Sequence, residues 1–348
     1  MSRIKDIAIE ANVSEGTVDR VLHNRGNVSK KTEARIREIM ERHNFTVNPI
    51  ASALAMRQKQ NISVLIPDFD ETDLFWESPF LGSQKAADDV KSFGIGVTPF
   101  KFNQNDAKSY LKAFEDLLLT KPTAVIIVPS FLNETKPITR QLEVLEIPYV
   151  FINIDINGFN NLSYIGQDSY KAGYIGGKLM HLKNPNPSEF LIIQSRHNIT
   201  ENNSVTNRIN GFNAYFSENN ISSKSKTLKI ENITNSKETT EKLNTYLNEH
   251  QEVKGIFVPS SRIHLVAKCL NENFVNKIVL IGFDDTPQNT ECLLNDSVSF
   301  IISQKPFDQG YQAVRLFSDY LLHNKVPENK LYLPIDILIK ENVNYNKK

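Results

Sequence analysis

The 348-residue chain has two cysteines, one tryptophan and no excess of either charge, with 40 Lys+Arg against 40 Asp+Glu. Cys269 and Cys292 are too few for a disulfide framework or a structural zinc site. No apolar run reaches the roughly 18 residues that a membrane-spanning helix needs. The first residues, MSRIKDIAIEANVS, carry scattered charges and no apolar stretch ahead of a small-residue cleavage site. No secretory signal is read there, and a reducing cytoplasm is the expected compartment. The nucleophile elbow G-x-S-x-G, the zinc motif H-E-x-x-H, the P-loop and G-x-G-x-x-G are all missing. GYIGGKL at 173–179 has a Gly-Gly-Lys without the P-loop spacing, and the seven histidines are dispersed. No enzyme, cofactor or metal is therefore expected.

What is present is enough apolar material, 40%, for a packed core. At about 100–200 residues per domain the length allows two or three domains. The neutral total conceals a division. Residues 1–60 hold 11 Lys+Arg and 7 Asp+Glu, leaving 29 against 33 for the remainder. A basic head thus precedes an acidic body.

In the head, Ile4, Ile7, Ala8 and Ala11 fall at helical spacing. Asn12-Val13-Ser14 breaks that pattern, and Ser14 suits the N-cap of a second helix at about 15–23, with Glu15 in its first turn. Val18, Val21 and Leu22 face inward; Glu15, Gly16, Thr17, Asp19 and Arg20 face outward. Ser29 caps a third helix at about 30–43 that buries Ile36, Ile39 and Met40. A tight turn between two short helices is the geometry of a helix-turn-helix, whose second helix enters the major groove. Spacing alone also fits a small helical subdomain that only supports the body.

The stretch IKDIAIEANVSEGTVDRVLHNRGNVSKKTEARI resembles the N-terminal domain of the lac-repressor (LacI/GalR) family of bacterial transcriptional regulators. The likeness lies in DIA of the first helix, VS-x-x-TV-x-RVL at the second, and NVS-x-x-T-x-x-x-I entering the third. FTVNPIASALA resembles the hinge that follows in that family. The resemblance implies base-reading positions at Glu15 and Gly16 and DNA contacts from Thr17, to a phosphate or a base edge, and from Arg20, placed to grip guanine in bidentate fashion. It implies phosphate contacts from Ser14, Asn27, Ser29 and Thr32, which fix register without reading sequence. In the hinge it implies DNA contacts at Asn48, Ala51 and Leu54, with Leu54 a minor-groove wedge that kinks the duplex. Asp19 departs from the serine usual at its position, and Gly16 offers no side chain for readout, so the operator preference of relatives does not transfer.

From Asn61 onward, short β-rich runs alternate with helical stretches. The runs are ISVLIP (62–67), GVTPFKF (96–102), TAVIIVP (123–129), PYVFINI (148–154), FLIIQS (190–195), TLKI (227–230), GIFVP (255–259), IVLIGFD (278–284) and VSFIIS (298–303). Helices are expected near 80–93, 106–120, 135–145, 169–182, 206–218, 236–249, 261–273 and 306–323. Such alternation gives parallel, doubly wound sheets, and near-continuous apolar runs fit strands buried on both faces. The order resembles the periplasmic-binding-protein-like core of the same family. The expected fold is an all-α helix-turn-helix head plus an α/β body of two Rossmann-like subdomains with parallel sheets, of the periplasmic-binding-protein-like type I. The expected divisions are 1–47 for the head, 48–60 for the hinge and 61–348 for the body. Within the body, an N-subdomain takes about 61–162 and 299–325, and a C-subdomain about 163–298 and 326–344. The run LYLPIDILIKEN is expected as a last strand of the second subdomain.

Open α/β sheets bind ligands at the carboxyl ends of their strands. Sugars call for aromatic faces and fixed polar groups. By resemblance the effector-binding residues are Asp73, Phe75, Trp76, Asn153, Asp168, Arg208, Ser260, Asp284 and Gln304. Trp76 could also be plain core, Asp284 a helix cap and Arg208 a surface residue. Asn153-Ile154 replaces the Asp-Arg pair of ribose-type binders, and Ser260 replaces an Asn, so the hydroxyl pattern of the ligand should differ. Arg196, His197 and Arg262 lie near strand ends and would suit a phosphorylated or acidic sugar, although such residues are more often solvated. The expectation is a cytoplasmic, homodimeric regulator, a repressor of carbohydrate-utilisation genes. It would bind a double-stranded, pseudo-palindromic DNA operator and answer allosterically to a sugar-like effector, with no membrane partner. A sugar-binding protein acting without DNA is the alternative.

Overall fold

A computed structural model describes residues 4–22, 26, 28–43, 45, 60–71, 73–195, 203–275 and 277–346. Asn27, Asn48, Ala51 and Leu54, and with them residues 48–59 of the expected hinge, lie outside the described residues, as do Arg196 and His197.

Three helices form the head: α1 (Ile4–Glu10), α2 (Glu15–Leu22) and α3 (Lys30–Arg42). Their common core is Ile7, Ala8, Ala11, Val18, Val21, Ile36 and Ile39, the apolar stripes of the three sequences brought together. Asn12 takes a left-handed φ of 51°, which ends α1 and turns the chain toward α2. Glu10 then ties α1 to α3, accepting from Arg42 at 2.8 Å and pairing with His43 at 2.6 Å.

The body begins with β1 (Gln60–Pro67), α4 (Glu77–Val90), β2 (Ile95–Phe102), α5 (Ala107–Leu119), β3 (Ala124–Ile127), α6 (Leu132–Val144), β4 (Tyr149–Ile152) and β5 (Tyr164–Gly166). It continues through α7 (Ser169–Lys183), β6 (Glu189–Gln194), α8 (Asn203–Glu218), β7 (Lys224–Lys229), α9 (Ser236–Glu249), β8 (Val253–Phe257), α10 (Ile263–Cys269), β9 (Val279–Phe283), α11 (Pro287–Leu294) and β10 (Phe300–Ser303). It closes with α12 (Pro306–His323), β11 (Lys330–Tyr332) and β12 (Asp336–Leu338).

Two six-stranded sheets result, in the orders β11-β5-β4-β3-β1-β2 and β12-β10-β9-β8-β6-β7. Every pairing is parallel except β10 with β12. The central strands are buried throughout, as AVII of β3 and YVFI of β4 require between two helical layers. The chain crosses between sheets after β5, after β10 and after β11.

These crossings correct the expected subdomain limits. VSFIIS ends in β10, which pairs with β9 and belongs to the second sheet, not the first. LYLPIDIL is not one strand: β11 joins β5 in the first sheet, and β12 joins β10 in the second. Pro334 lies between them and has no N–H to offer a ladder, so the chain changes sheet there. The three-residue β5, too short to show a period, was not expected as a strand and carries the first subdomain to Gly166. α11 was also not expected, although Thr286 caps it and Pro287 stands at its start.

Candidate functional site

On the head, Ser14 and Ser29 begin their helices in the same way. The Ser14 hydroxyl accepts from the Thr17 N–H and meets the Thr17 hydroxyl at 2.9 Å; Ser29 does the same with Thr32, the hydroxyls 2.8 Å apart. Each pair places hydroxyls beside the positive end of a helix, which suits phosphate oxygens. Beyond them, Glu15, Gly16 and Arg20 are exposed on α2 and Thr17 is half-buried, so this face is open to a groove.

In the body, the strand ends build a polar set between the two sheets. Asn153 follows β4, Asp284 follows β9 and Gln304 follows β10; Asn153 and Asp284 are held at φ of 68° and 67°. Such left-handed non-glycine residues cost energy and gather at functional sites. Arg208 reaches in from α8. That approach requires α7 and α8 to touch backbone to backbone. A Cβ on Gly173 would stand 1.9 Å from the Arg208 carbonyl oxygen, and one on Gly211 2.0 Å from that of Tyr170. The small residues of GYIGGKL therefore set the depth of Arg208.

Arg208 is 4% exposed. Its Nη1 donates to the Pro259 carbonyl at 3.0 Å, its Nη2 to Gln304 Oε1 at 3.0 Å, and its guanidinium lies 3.9 Å from the Phe283 ring centroid. Asn153 Nδ2 donates to Gln304 Oε1 and to Gln309 Oε1, while Gln304 Nε2 donates to Asp284 Oδ2 at 2.9 Å. Four residues expected from the sequence thus form one hydrogen-bonded set. Burial pushes the Asp284 carboxyl up to about 7, against the pull of the Arg208 guanidinium. Burial likewise lowers Arg208, against the pull of Asp284.

A cavity of about 830 Å³ opens beside this set, lined from the first subdomain by Asp73 and Gln104 and from the second by Ser195 and Arg262. Arg262 joins the two, donating to Asp73 Oδ2 at 3.0 Å and to the Ser195 carbonyl at 3.2 Å. Gln104 Nε2 also donates to Asp73, at 2.9 Å. Phe75 and Asp284 line a second cavity of about 570 Å³. Trp76 is 3% exposed, edge-on to Phe75 with centroids 4.8 Å apart. Asp168 does not join the set; its side chain caps α7 by accepting from the Lys171 N–H.

Six buried polar atoms at these strand and helix ends have no protein partner: Trp76 Nε1, Gln104 Oε1, Ser195 Oγ, Arg208 Nε, Ser260 Oγ and Asp284 Oδ1. An unmet buried donor or acceptor costs about 1–3 kcal/mol, and these six, of eleven such atoms among the described residues, make this region the candidate ligand site. Elsewhere, Glu189, His250 and Glu252 converge within 4.8 Å. Lys226 already pairs with Glu189 at 3.0 Å and His250 with Glu252 at 3.2 Å, so this group is a chain of surface ion pairs.

Comparison with known families decides what these two parts are. Residues 62–325 match the periplasmic binding protein domain, and residues 3–48 match the bacterial regulatory proteins of the lacI family. The chain belongs to the lacI family. It is a DNA-binding transcriptional regulator and not an enzyme. It is 24% identical to the ribose operon repressor of Lactococcus lactis over 100% of both chains. It is 23% identical to catabolite control protein A of Priestia megaterium over 95% of this chain and 96% of that one. A solved structure ascribed to a LacI transcriptional regulator from Bacteroides fragilis superposes with a TM-score of 0.77 at 26% identity, covering 83% of this chain and 100% of that one. A solute-binding protein of Burkholderia graminis in complex with D-arabinose shares the fold, with a TM-score of 0.72 at 19% identity, covering 84% of this chain and 100% of that one. Among the described residues of the regulator no helix is long and apolar enough to cross a membrane.

Sequence reasoning missed several residues that organise the site. Gln309, fully buried, accepts from Asn153 and donates to the Gln304 carbonyl. Asn289 pins the exits of β8 and β9 by donating to the carbonyls of Ser261, Phe283 and Asp284. Both sit inside helices, where a Gln or Asn reads as ordinary surface. Gln104 offered only its place just after a strand.

The raised Asp284 has a measurable consequence. Its folded value lies above the unfolded one near 3.9, so the folded regulator holds the extra proton between the two. On account of this group, stability falls as pH rises from about 4 to 7. A ligand hydroxyl donating to Oδ1 favours the carboxylate. Effector binding near pH 7 is therefore expected to release protons and to tighten as pH rises through that region. Titration calorimetry in buffers of different ionisation enthalpy reads the release directly; identical heats in all buffers would remove Asp284 from the site.

Proposed function

We propose that this regulator is a sugar-responsive repressor, acting as a homodimer in the cytoplasm on a pseudo-palindromic operator. The observation that carries the reading is the cluster of buried, partnerless polar atoms around Arg208, Gln304 and Asp284, set between two sheets in a chain that begins with a helix-turn-helix. Full-length similarity to a ribose operon repressor supports a carbohydrate operon as the target.

The proposed division has the head at 1–47, the hinge at 48–60 and the body from 61. In the body, residues 61–166 and 306–332 form one subdomain, and residues 169–303 and 336–346 the other. Asn153, Arg208, Asp284 and Gln304 hold the effector, Trp76 and Ser260 donate to it from the rim, and Phe75 and Asp73 border it. Ser14, Thr17, Ser29 and Thr32 contact phosphates, joined by Asn27, while Glu15, Gly16 and Arg20 meet bases. Asn48, Ala51 and Leu54 contact the operator centre from the hinge. Effector binding changes the angle between subdomains, and through the hinges the spacing of the two heads. The coupling is set by the difference in effector affinity between the two states.

A gel shift with the regulator's own upstream DNA tests the reading. Retardation at low salt that changes on adding sugars is the expected result; no retardation under any condition would overturn it. In the same assay Leu54→Ala should lose specific binding while keeping non-specific binding, because a wedge contributes only where the duplex is kinked. Equal loss on both would refute the wedge.

A further inference from the structure

Of the six partnerless atoms, Gln104 Oε1 and Ser195 Oγ are buried atoms of residues that line the 830 Å³ cavity, which neither Arg208, Asp284 nor Gln304 lines. The polar demand of the cleft therefore falls in two places. One is the buried Arg208 set. The other is the cavity, tied to it along the chain: Arg262 lines the cavity and bonds the Ser195 carbonyl, three residues after Pro259, whose carbonyl Arg208 bonds. The cavity volume lies within the roughly 300–1,000 Å³ of sites that enclose whole small ligands.

The lining states the chemistry. Gln104, Asn105, Ser195, Asn232 and Thr234 bring amides and hydroxyls, and Phe69 brings an aromatic ring. Among the described residues four carboxylates, Asp68, Asp70, Asp73 and Glu231, stand against two cations, Lys101 and Arg262. Both cations are already engaged, Lys101 with Asp68 at 3.1 Å and Arg262 with Asp73 at 3.0 Å. An anionic group would meet repulsion there, whereas sugar hydroxyls would meet donors and acceptors of both kinds.

We infer that the effector has two units: one ring held by the Arg208 set, and a second, neutral and hydroxyl-bearing, in the Gln104–Ser195 cavity. The effector class is then a neutral disaccharide or comparable glycoside, rather than a free monosaccharide or a sugar phosphate. This rests on the reading of the cleft as the effector site.

Titration calorimetry on the full-length protein separates the possibilities. The probes are glucose, galactose and ribose; maltose, cellobiose, lactose and xylobiose; and glucose 6-phosphate. At least one disaccharide should bind about tenfold or more tightly than its constituent monosaccharide, a gap of roughly 1.4 kcal/mol. Asn105→Ala and Thr234→Ala, each checked for an unchanged melting temperature, should narrow that gap and leave monosaccharide affinity as it was. Arg208→Ala should abolish binding of both classes. A monosaccharide or glucose 6-phosphate binding as tightly as any disaccharide would overturn the two-unit effector alone, as would equal weakening of both classes by Asn105→Ala and Thr234→Ala. No binding of any sugar by a protein that still retards its operator would overturn the sugar reading of the cleft, and this proposal with it.

Discussion

Arg208→Ala will abolish the response of operator binding to effector while leaving operator binding itself in place. The guanidinium holds two fixed points, the Pro259 carbonyl and Gln304 Oε1, and one atom, Nε, has no protein partner. Removing it deprives the effector of a fully buried donor and frees Gln304 from its register. Lysine cannot substitute, because a single ammonium does not reproduce the planar fork or stack on Phe283 as a guanidinium does. Arg208 and Asp284 attract each other across the Gln304 amide, which accepts from one and donates to the other, so part of the stability lost is electrostatic. Here the loss depends on pH. Asp284, already raised to about 7, rises further without Arg208 and is protonated below that range, so the electrostatic part of the destabilisation is small in mild acid and full in mild alkali, on top of a pH-independent loss of the bonds to Pro259 and Gln304. Melting curves of wild type and variant at pH 5.5 and pH 8.5, beside calorimetry with the best sugar of the panel, check both halves. Unchanged effector affinity would remove Arg208 from the site; a destabilisation larger at pH 5.5 would remove Asp284 as its electrostatic partner.

The two halves of the molecule were legible in the sequence to different degrees, for physical reasons. Strands such as AVII and YVFI are buried on both faces, and their unbroken apolar runs announce a parallel sheet. The helices of the head show their stripes and their serine caps. The crossings between subdomains were misplaced because they depend on pieces of three residues, β5, β11 and β12, whose partners are remote in sequence. Single residues at strand ends, Asn153, Asp284 and Gln304, were found by resemblance, and the structure unites them with Arg208. Gln309, Gln104 and Asn289 were not found, since an amide acquires its role only from neighbours folding brings within 3 Å or so. Asp168 shows the converse: it stands at a strand exit like the others, yet its side chain is committed to capping α7.

Arg20→Ala should cost about 1–3 kcal/mol of operator affinity per half-site, the worth of one bidentate contact to guanine. A dimer presents two such arginines, so the loss on a full operator would approach about twice that figure for independent sites. The surface of α2 singles out this residue. Its inward residues, Val18 and Val21, are spent on the core, and Thr17 on the Ser14 cap. Of the outward residues, Gly16 has no side chain and Glu15 and Asp19 are anions, which leaves Arg20 as the long cationic reader of that face. The body is acidic and the head carries a modest excess of four positive charges over residues 1–60. Non-specific attraction is then weak and salt-sensitive, and discrimination must come from base contacts such as this one. A base-reading Arg20 predicts that the variant loses operator binding, keeps non-specific binding and tolerates changes at one base pair of each half-site. A phosphate-contacting Arg20 predicts uniform weakening on all sequences, with the salt slope reduced by about one. Titrations of operator and scrambled DNA at several salt concentrations distinguish the two, and uniform weakening would reassign Arg20 from reading sequence to holding register.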